Sequence, residues 1–205
     1  MAALTLYNTP LSGHGHRVKL LLTLLDLPFK EIEAGADIRQ TAQFLALNPL
    51  GQIPVLVEGE TVITDSNAIL IWLVKRYAPE SHWLPQDLLQ EVEVHQWLAK
   101  AAGEIRYGLA SARLIRQFST PENYASACSV AAKFLPQMEQ HLTGKRWLVG
   151  EQATLADLAC YAYVACAPEG GISLADYPAI QQWLQNVEAM PGFIGLPPLP
   201  HPELI

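Results

Sequence analysis

Residues 48–66, NPLGQIPVLVEGETVITDS, contain two short apolar runs on either side of a glycine turn. The runs 53–57 and 61–64 are rich in Val and Ile, and the turn between them, Glu58-Gly59-Glu60, predicts a β-hairpin. A helix is predicted from Ser66 to Tyr77, where apolar residues occur on nearly every side, so this helix needs packing partners on more than one face. An antiparallel hairpin followed by a buried helix is therefore the best-defined part of the chain.

The residues before the hairpin predict a βαβ unit. A short strand at 4–7 is followed by a loop and by apolar residues at helical spacing from about His16, and Pro28 ends that helix. Strand-like alternation returns at 29–33, so the two strands are expected to be parallel and joined by a right-handed crossover. A weaker helical pattern covers residues 37–47. The complete order, βαβαββα, is typical of a thioredoxin-like domain.

The second half of the chain predicts an all-helical domain. Residues 79–85 contain two prolines and no periodicity, as expected of a linker between domains. Thr154-Leu-Ala-Asp157 fits a helix capping box, in which the threonine and the carboxylate each bind the other residue's backbone N–H. The predicted division is 1–78, 79–85 and 86–205. Helical patterns beyond the linker run over about 86–118, 121–142, 154–166 and 178–190.

Composition excludes several classes of protein. Half of the 205 residues are hydrophobic, and 13 Lys and Arg against 20 Asp and Glu give a net charge of -7. We therefore expect a globular protein without a surface for nucleic acid. The three cysteines, Cys128, Cys160 and Cys166, are expected to be buried reduced thiols. Because no apolar run is long enough for a membrane span and no basic leader precedes one, we expect a cytoplasmic protein that has no membrane partner.

The pattern N-P-x-G-Q-I-P-V-L, followed by a hairpin and T-D-S-N-A-I-L, resembles the glutathione-site core of the glutathione transferase family. Leu6-Tyr7-x-x-Pro10-x-Ser12 with Arg17-Val-Lys-Leu-Leu-Leu is similar to the first strand, loop and helix of its serine-type members. Trp147-Leu-Val-Gly150 and Thr154-Leu-Ala-Asp157 match the helical-domain signature of the family. The resemblance covers nearly the whole chain and implies a thioredoxin-like glutathione-binding domain followed by an all-helical domain.

The resemblance implies five glutathione-binding residues, Gln52, Ile53, Pro54, Asp65 and Ser66. In this fold the bond before Pro54 is cis and leaves the backbone of Ile53 able to pair with a tripeptide, while Gln52 lies against the glutathione backbone. The dipeptide alone also fits a proline that only begins a strand. Ser66 at a helix N-terminus suits the glutamyl carboxylate and Asp65 suits the ammonium. Both are also ordinary helix-capping residues, and that alternative stays open.

Catalysis in the family requires the glutathione thiolate, and a free thiol has a pKa of about 8.5. Ser12, in the loop before the first helix, is our candidate hydroxyl donor. Tyr7 at the end of the first strand is the rival, because other members use a tyrosine there, although Tyr7 could simply pack through its ring. His14 could also contact the thiolate or the substrate.

The segment Gly13-His14-Gly15-His16 departs from the family pattern. It has no Cys or carboxylate nearby to complete a metal site, so we interpret it as a solvated loop and expect no metal. No cysteine lies between Asn8 and Ser12, which disfavours chemistry through an enzyme mixed disulfide.

The resemblance implies an enzyme that uses glutathione as a co-substrate, without a permanently bound cofactor, and a homodimer. It would transfer glutathione to small hydrophobic electrophiles or catalyse a related reaction such as peroxide reduction, isomerisation or dehalogenation. A binding or interaction module of the same fold without catalysis is the alternative. The second substrate is expected between the domains, near the candidates Arg106, Tyr107, Ala110 and Arg113, which could equally form an ordinary helix face.

Overall fold

The computed structural model describes residues 3–202, which form two compact units. The first unit runs to Ser81 and also includes Pro191–Pro197. The second begins at His82, continues to Met190, and takes in the described residues from Pro198 on. The outer limits of the two predicted domains, at residues 1 and 205, lie outside the described residues.

The first unit follows the predicted βαβαββα order, with two short helices in place of one between the second and third strands, around a four-stranded sheet with strand order β2-β1-β3-β4. Strand β1 is parallel to β2 and antiparallel to β3, and β3 is antiparallel to β4, which confirms the predicted fold class and hairpin. The elements are β1 (Leu4–Asn8), α1 (Gly13–Leu24), β2 (Phe29–Glu33), α2 (Ala36–Arg39), α3 (Ala42–Leu47), β3 (Val55–Glu58), β4 (Thr61–Ile63) and α4 (Ser66–Tyr77).

The weak helical pattern at 37–47 corresponds to two short helices, α2 and α3. They are separate because Thr41 caps the second one: its Oγ1 accepts a hydrogen bond from the backbone N–H of Phe44 at 3.2 Å. A side-chain acceptor at this position satisfies one of the N–H groups that a helix start leaves unpaired.

The strand register brings three chain segments to one end of the sheet. Tyr7 near the end of β1 pairs with Val55 at the start of β3, and Leu56 pairs with Ile63 at the end of β4. The loop that follows β1, the residues that precede β3 and the start of α4 therefore lie at the same end. The predicted catalytic and glutathione-binding residues belong to these segments with two exceptions: Tyr7 lies just before them on β1, and His14 lies in the first turn of α1.

The two faces of this sheet pack against different helices. Leu4 and Leu6 of β1 are fully or almost fully buried, as are Leu21 of α1 and Leu73 of α4, and these two helices contact each other. Burying one such side chain contributes roughly 1.5–3 kcal/mol. The other face carries a smaller cluster in which Tyr7 packs with Ala34, Phe44 of α3 and Val55.

The regular elements of the second unit are all helices within its described residues, as predicted. The single helix predicted at 86–118 is wrong, however, because the chain leaves the helical conformation at Gly103, which has φ −97° and ψ −99°. The elements are α5 (Leu88–Ala102), a π-helical turn (Arg106–Ala110), α6 (Ser111–Phe118), α7 (Tyr124–Leu142), α8 (Leu155–Ala165), a 3-10 turn (Ala167–Gly170) and α9 (Pro178–Glu188).

Part of the segment 79–85 is packed within the second unit. Trp83 and Leu84 are buried, and the carbonyl oxygen of Trp83 accepts a hydrogen bond from Leu155 N–H at the start of α8 at 2.8 Å. The Nδ1 atom of His82 lies 2.6 Å from the carbonyl oxygen of Ala153. These residues therefore belong structurally to the helical unit.

Asp157 of α8 organises the interior of the second unit. Its carboxylate accepts hydrogen bonds from Thr154 N–H at 2.8 Å, Leu148 N–H at 3.0 Å and Trp183 Nε1–H at 2.8 Å, and the residue is fully buried. The capping box predicted for Thr154 and Asp157 is confirmed. Burial raises the pKa of Asp157, while these hydrogen bonds act in the opposite direction.

The three cysteines are free thiols, of which Cys160 and Cys166 are buried and Cys128 is half-buried. Burial raises the pKa of Cys166 to about 12. Across residues 3–202, no helix combines the length and the apolar character needed to cross a membrane.

Replacing Asp157 by Ala is expected to destabilise the protein strongly, because three buried N–H groups lose their acceptor at a cost of about 1–3 kcal/mol each. The matched control is Asp87→Ala, which removes the exposed cap of α5, a hydrogen bond from Gln90 N–H to Oδ1 at 3.0 Å. That loss costs only about 1 kcal/mol. Urea unfolding measures both changes, and equal losses for the two variants would contradict this role of Asp157.

Candidate functional site

Ser12 lies at the start of α1, where it is the N-cap residue. Its Oγ accepts a hydrogen bond from Gly15 N–H at 3.0 Å, and the side chain is half-buried. A hydroxyl has one hydrogen and two lone pairs, so this bond does not use the Ser12 hydrogen. The same group can therefore cap the helix and donate to an anion at its N-terminus.

The segment Gly13–His16 is not the solvated loop that we expected, but the first turn of α1. The Ser12 cap explains this difference, because it stabilises a helix start that glycine and histidine by themselves disfavour. His14 is half-buried. His16 is buried, its Nε2 lies 2.7 Å from the carbonyl oxygen of Ile194, and its ring meets the edge of Phe193.

The environment of His16 keeps the imidazole neutral. Burial lowers its pKa to about 4; the hydrogen bond with Ile194 opposes this shift, and the nearby charges of Arg17 and Lys19 add to it. A neutral ring whose Nε2–H donates to the Ile194 carbonyl therefore attaches the segment Pro191–Pro197 to α1. This segment belongs to a proline-rich stretch whose sequence carries no periodicity, so its place in the first unit could not be predicted.

Tyr7 occupies the face of the sheet opposite to α1. Its ring packs edge-on against Phe44, with ring centroids 5.7 Å apart, and it joins the small cluster that also contacts Ile53. Successive residues of a strand point to opposite faces. Asn8, the next residue, accordingly lies against Gly15 of α1.

The residues before β3 are organised by Asn48. Its side-chain Nδ2 donates to the carbonyl oxygen of Gln52 at 2.8 Å, and its Oδ1 accepts from Leu50 N–H at 3.1 Å. Gly51 has φ +62°, a conformation that other residues rarely adopt. The result is an ordered turn that leaves Gln52 exposed. The bond between Ile53 and Pro54 is cis, which confirms the expectation from the family resemblance.

Asp65 and Ser66 begin α4 in different environments. Asp65 is exposed and caps the helix through a hydrogen bond from Ala68 N–H to Oδ1 at 2.9 Å. Ser66 is buried, and its Oγ accepts from Arg17 Nη1 at 3.3 Å. The same guanidinium nitrogen donates to Asn67 Oδ1 at 2.9 Å.

Arg17 is the residue that the functional interpretation of the sequence missed. It is 0 % exposed and places a positive charge beneath the first turn of α4. The available signal was its position: Arg17 lies four residues before Leu21, on the apolar face of α1. A cation at such a position is rarely buried without a structural or functional reason.

The four candidates for the second substrate do not share one surface. Tyr107 is 64 % exposed, and Arg106 lies beside it with its guanidinium 5.5 Å from the Tyr107 ring centroid. Ala110 and Arg113 are buried, and Arg113 Nε donates to Glu169 Oε2 at 2.5 Å. Ala110 and Arg113 therefore face the interior of the second unit, whereas Tyr107 faces solvent, and a role of all four in binding a second substrate stays a prediction.

The end of the sheet therefore presents two helix N-termini beside a strand start. Both helices are capped by side chains, Ser12 for α1 and Asp65 for α4, and Arg17 connects the first helix to the second. Helix N-termini and a buried guanidinium favour anions. Among the described residues, no group of three or more His, Cys, Asp or Glu side chains could hold a metal ion.

Comparison with known proteins gives a consistent result over both units. The model of the glutathione S-transferase N-terminal domain matches residues 6–81, and the model of the glutathione S-transferase C-terminal domain matches residues 104–191. Glutathione S-transferase 3 of Zea mays is 30% identical over 98% of this chain and 98% of its own.

Solved structures agree with these relatives. The crystal structure of a glutathione S-transferase from Xanthobacter autotrophicus is 34% identical, with a TM-score of 0.87 over 96% of this chain and 98% of that one. A glutathione transferase homologue from Drosophila mojavensis, solved with bound glutathione, is 25% identical, with a TM-score of 0.80 over 93% and 90% of the two chains.

The lowered pKa of His16 predicts that the folded protein becomes less stable as the pH falls. The unfolded chain takes up a proton near the usual pKa of 6.5, whereas the folded chain does so only near pH 4, so stability is lost as the pH falls between these values. Urea unfolding should show His16 contributing about 2 kcal/mol to the loss between about pH 7 and pH 5. His16→Gln can still donate to Ile194 but does not titrate, so its stability should lack this part of the pH dependence. The same pH dependence in His16→Gln and the unmodified protein would contradict the assignment to His16.

Proposed function

Since the chain belongs to the glutathione S-transferase family, we propose that it is an enzyme that binds glutathione at this end of the sheet and activates its thiol for attack on small hydrophobic electrophiles. One observation carries the proposal: the capped N-termini of α1 and α4 lie at the same end of the sheet as the turn before β3, joined by the hydrogen bond from Arg17 to Ser66. The glutathione bound in the Drosophila mojavensis homologue supports it.

The glutamyl end of glutathione would bind at the start of α4. Asp65 uses Oδ1 to cap the helix, so its second oxygen can accept from the glutamyl ammonium. The carboxylate would bind the first N–H groups of α4 and the Ser66 hydroxyl. The buried charge of Arg17, 3.3 Å from Ser66 Oγ, increases the positive potential at that point.

The middle of the tripeptide would lie along the residues before β3. The backbone of Ile53 would pair with the peptide backbone of glutathione, as an added strand pairs with a sheet edge, with Pro54 fixing the start of β3. The exposed side chain of Gln52 would donate to the same backbone. The order imposed by Asn48 on this turn reduces the entropy that binding must overcome.

Ser12 is the proposed activating residue. Its oxygen is fixed by Gly15 N–H, so its hydrogen can be directed at the glutathione sulfur, and the N-terminus of α1 adds a partial positive charge. Tyr7 is the weaker candidate because its ring is packed against Phe44 on the other face of the sheet. His14, on the same first turn as Gly15, is the other rival.

The finer assignments are also proposals. Arg106 and the exposed Tyr107 would contact the second substrate, since an exposed aromatic ring beside a guanidinium suits flat hydrophobic molecules. We propose a homodimer, because large apolar side chains such as Leu50, Leu88 and Leu89 are exposed in the isolated chain.

Calorimetric titration with glutathione tests the binding step that the proposed enzyme requires. We expect saturable binding, and we expect Asp65→Asn to weaken it about 3- to 10-fold, because the variant can still cap α4 but lacks the charge that pairs with the ammonium. Asp87→Asn, a matched exposed cap in the second unit, is the control. Absence of binding to the unmodified protein would refute the proposed function.

Turnover with a panel of electrophiles and peroxides identifies the activating group. Ser12→Ala is expected to lower kcat about 100-fold, since a hydrogen-bond donor to the reacting anion is lost, and to cost about 1 kcal/mol of stability through the lost cap. Ser12→Thr keeps a hydroxyl and should restore most of the turnover and most of the stability. Ser12→Asp can accept the Gly15 N–H but has no hydrogen to donate, so it should restore only the helix cap. Tyr7→Phe, which keeps the ring contact with Phe44, should retain activity; the opposite pattern would assign the role to Tyr7.

A further inference from the structure

Asn8, the last residue of β1, contacts β2, the residue that follows β2, and α1. It is 2 % exposed, its Nδ2 donates to Glu31 Oε1 at 3.1 Å, and its backbone oxygen accepts from Ala34 N–H at 2.7 Å. The other oxygen of Glu31 accepts from Lys19 Nζ of α1 at 2.6 Å. The Asn8 side chain therefore has a fixed position relative to both the sheet and α1.

Gly15 is a glycine because of Asn8. A Cβ atom on Gly15 would lie 1.5 Å from Asn8 Oδ1 and 2.3 Å from its Cγ, which is far inside any permitted contact. The backbone of Gly15 is helical and does not itself require glycine. The missing side chain thus allows the Asn8 amide to lie directly against the first turn of α1.

The same glycine holds the proposed activating residue. Gly15 N–H donates to Ser12 Oγ at 3.0 Å, while the Asn8 amide lies where a Gly15 side chain would be. A shift of the Gly15 backbone would therefore change the direction in which the Ser12 hydroxyl points. Asn8, Gly15 and Ser12 form a chain of direct contacts.

Stability alone does not explain the amide at position 8. Within residues 3–202, Asn8 Oδ1 is buried and has no hydrogen-bond partner. A buried acceptor without a partner lowers stability, and an apolar side chain of similar size would avoid that cost. A buried unsatisfied group of this kind calls for an explanation beyond packing, and a role in positioning a site is one such explanation.

We propose that Asn8 is a positioning residue for Ser12, acting through Gly15. This inference rests on the proposed function of Ser12 as the hydroxyl donor to the glutathione thiolate. The Asn8 amide sets how closely the first turn of α1 approaches β1. In that position the Ser12 oxygen receives the Gly15 N–H, and the Ser12 hydrogen remains directed toward the sulfur of bound glutathione.

A double-mutant cycle tests the contact, with Gly15→Ala, Asn8→Ala and the two combined. Gly15→Ala should lower kcat about 10- to 100-fold, since displacing a catalytic group by an ångström or less has effects of that size. When Gly15→Ala is added to Asn8→Ala, it should lower kcat little further, because the new methyl group enters the space that the amide has left. Gly35→Ala is the matched control, since a Cβ there meets only the carboxylate end of the flexible, exposed Asp37 at 2.8 Å.

Two readouts separate positioning from loss of folding. The pH dependence of thiolate absorbance should show a raised pKa for glutathione bound to Gly15→Ala, because the Ser12 hydrogen bond favours the anion, while KM for glutathione changes less than about threefold. The thermal midpoint should fall in Gly15→Ala and rise when the same change is made in Asn8→Ala, since alanine ordinarily stabilises a helix relative to glycine.

Asn8→Ala alone should lower kcat, because the amide that sets the approach of α1 to β1 is lost. The results overturn the inference if Asn8→Ala or Gly15→Ala keeps the kcat and thiolate pKa of the unmodified protein, or if Gly15→Ala loses activity equally in both backgrounds. A rise of the thermal midpoint in both backgrounds would also overturn it, since no clash would then exist. If the unmodified protein does not bind glutathione, the proposed function itself has failed, and that result is seen before any variant is made. Failure of the cycle in an active protein refutes only the role of Asn8.

Discussion

Strand β1 pairs with β2 on one side and with β3 on the other, and the rest of the first unit depends on this pairing. The register that sets Tyr7 opposite Val55 determines which loops share an end of the sheet. A slip of one residue would exchange the faces of every side chain on β1, moving Leu6 out of the core and Asn8 away from α1. The core and the candidate site are therefore fixed by the same hydrogen bonds.

Arg17 in the first unit and Asp157 in the second are buried charges, and each organises the start of a helix. Arg17 lies beneath the first turn of α4 and binds Ser66 and Asn67, whereas Asp157 lies inside the second unit and binds N–H groups of three segments. A buried charge is costly unless hydrogen bonds compensate it. The Asp157 carboxylate accepts hydrogen bonds from several N–H donors and so stabilises the helical unit. The guanidinium carries positive charge to a helix start, where an anionic ligand would benefit from it.

Local patterns in the sequence were sufficient to predict the helices, the strands and the capping box, but not the contacts among these elements. The hairpin, the limits of α4 and the capping box were predicted because each depends on residues that are close together in the chain. The interruption at Gly103 was missed because the apolar periodicity continues across it. Asn8 and Arg17 were missed because their partners, Glu31 and Ser66, are distant in sequence. The roles of Ser12, Gln52 and Asp65 come from the family pattern and stay predictions.

The capping role of Ser12 strengthens its assignment as the activating residue. A hydroxyl that only donated to a ligand would have to be held by packing, and a serine side chain is too small to be held that way. The hydrogen bond from Gly15 N–H fixes the oxygen before any ligand arrives, at no cost to the hydrogen that the ligand would receive. Because the cap already exists in the free protein, little reorganisation is needed when the thiolate forms, and preorganised donors stabilise developing charge most effectively. In the proposed mechanism, helix stability and thiol activation depend on the same oxygen, so a substitution at Ser12 has to be interpreted for both effects together.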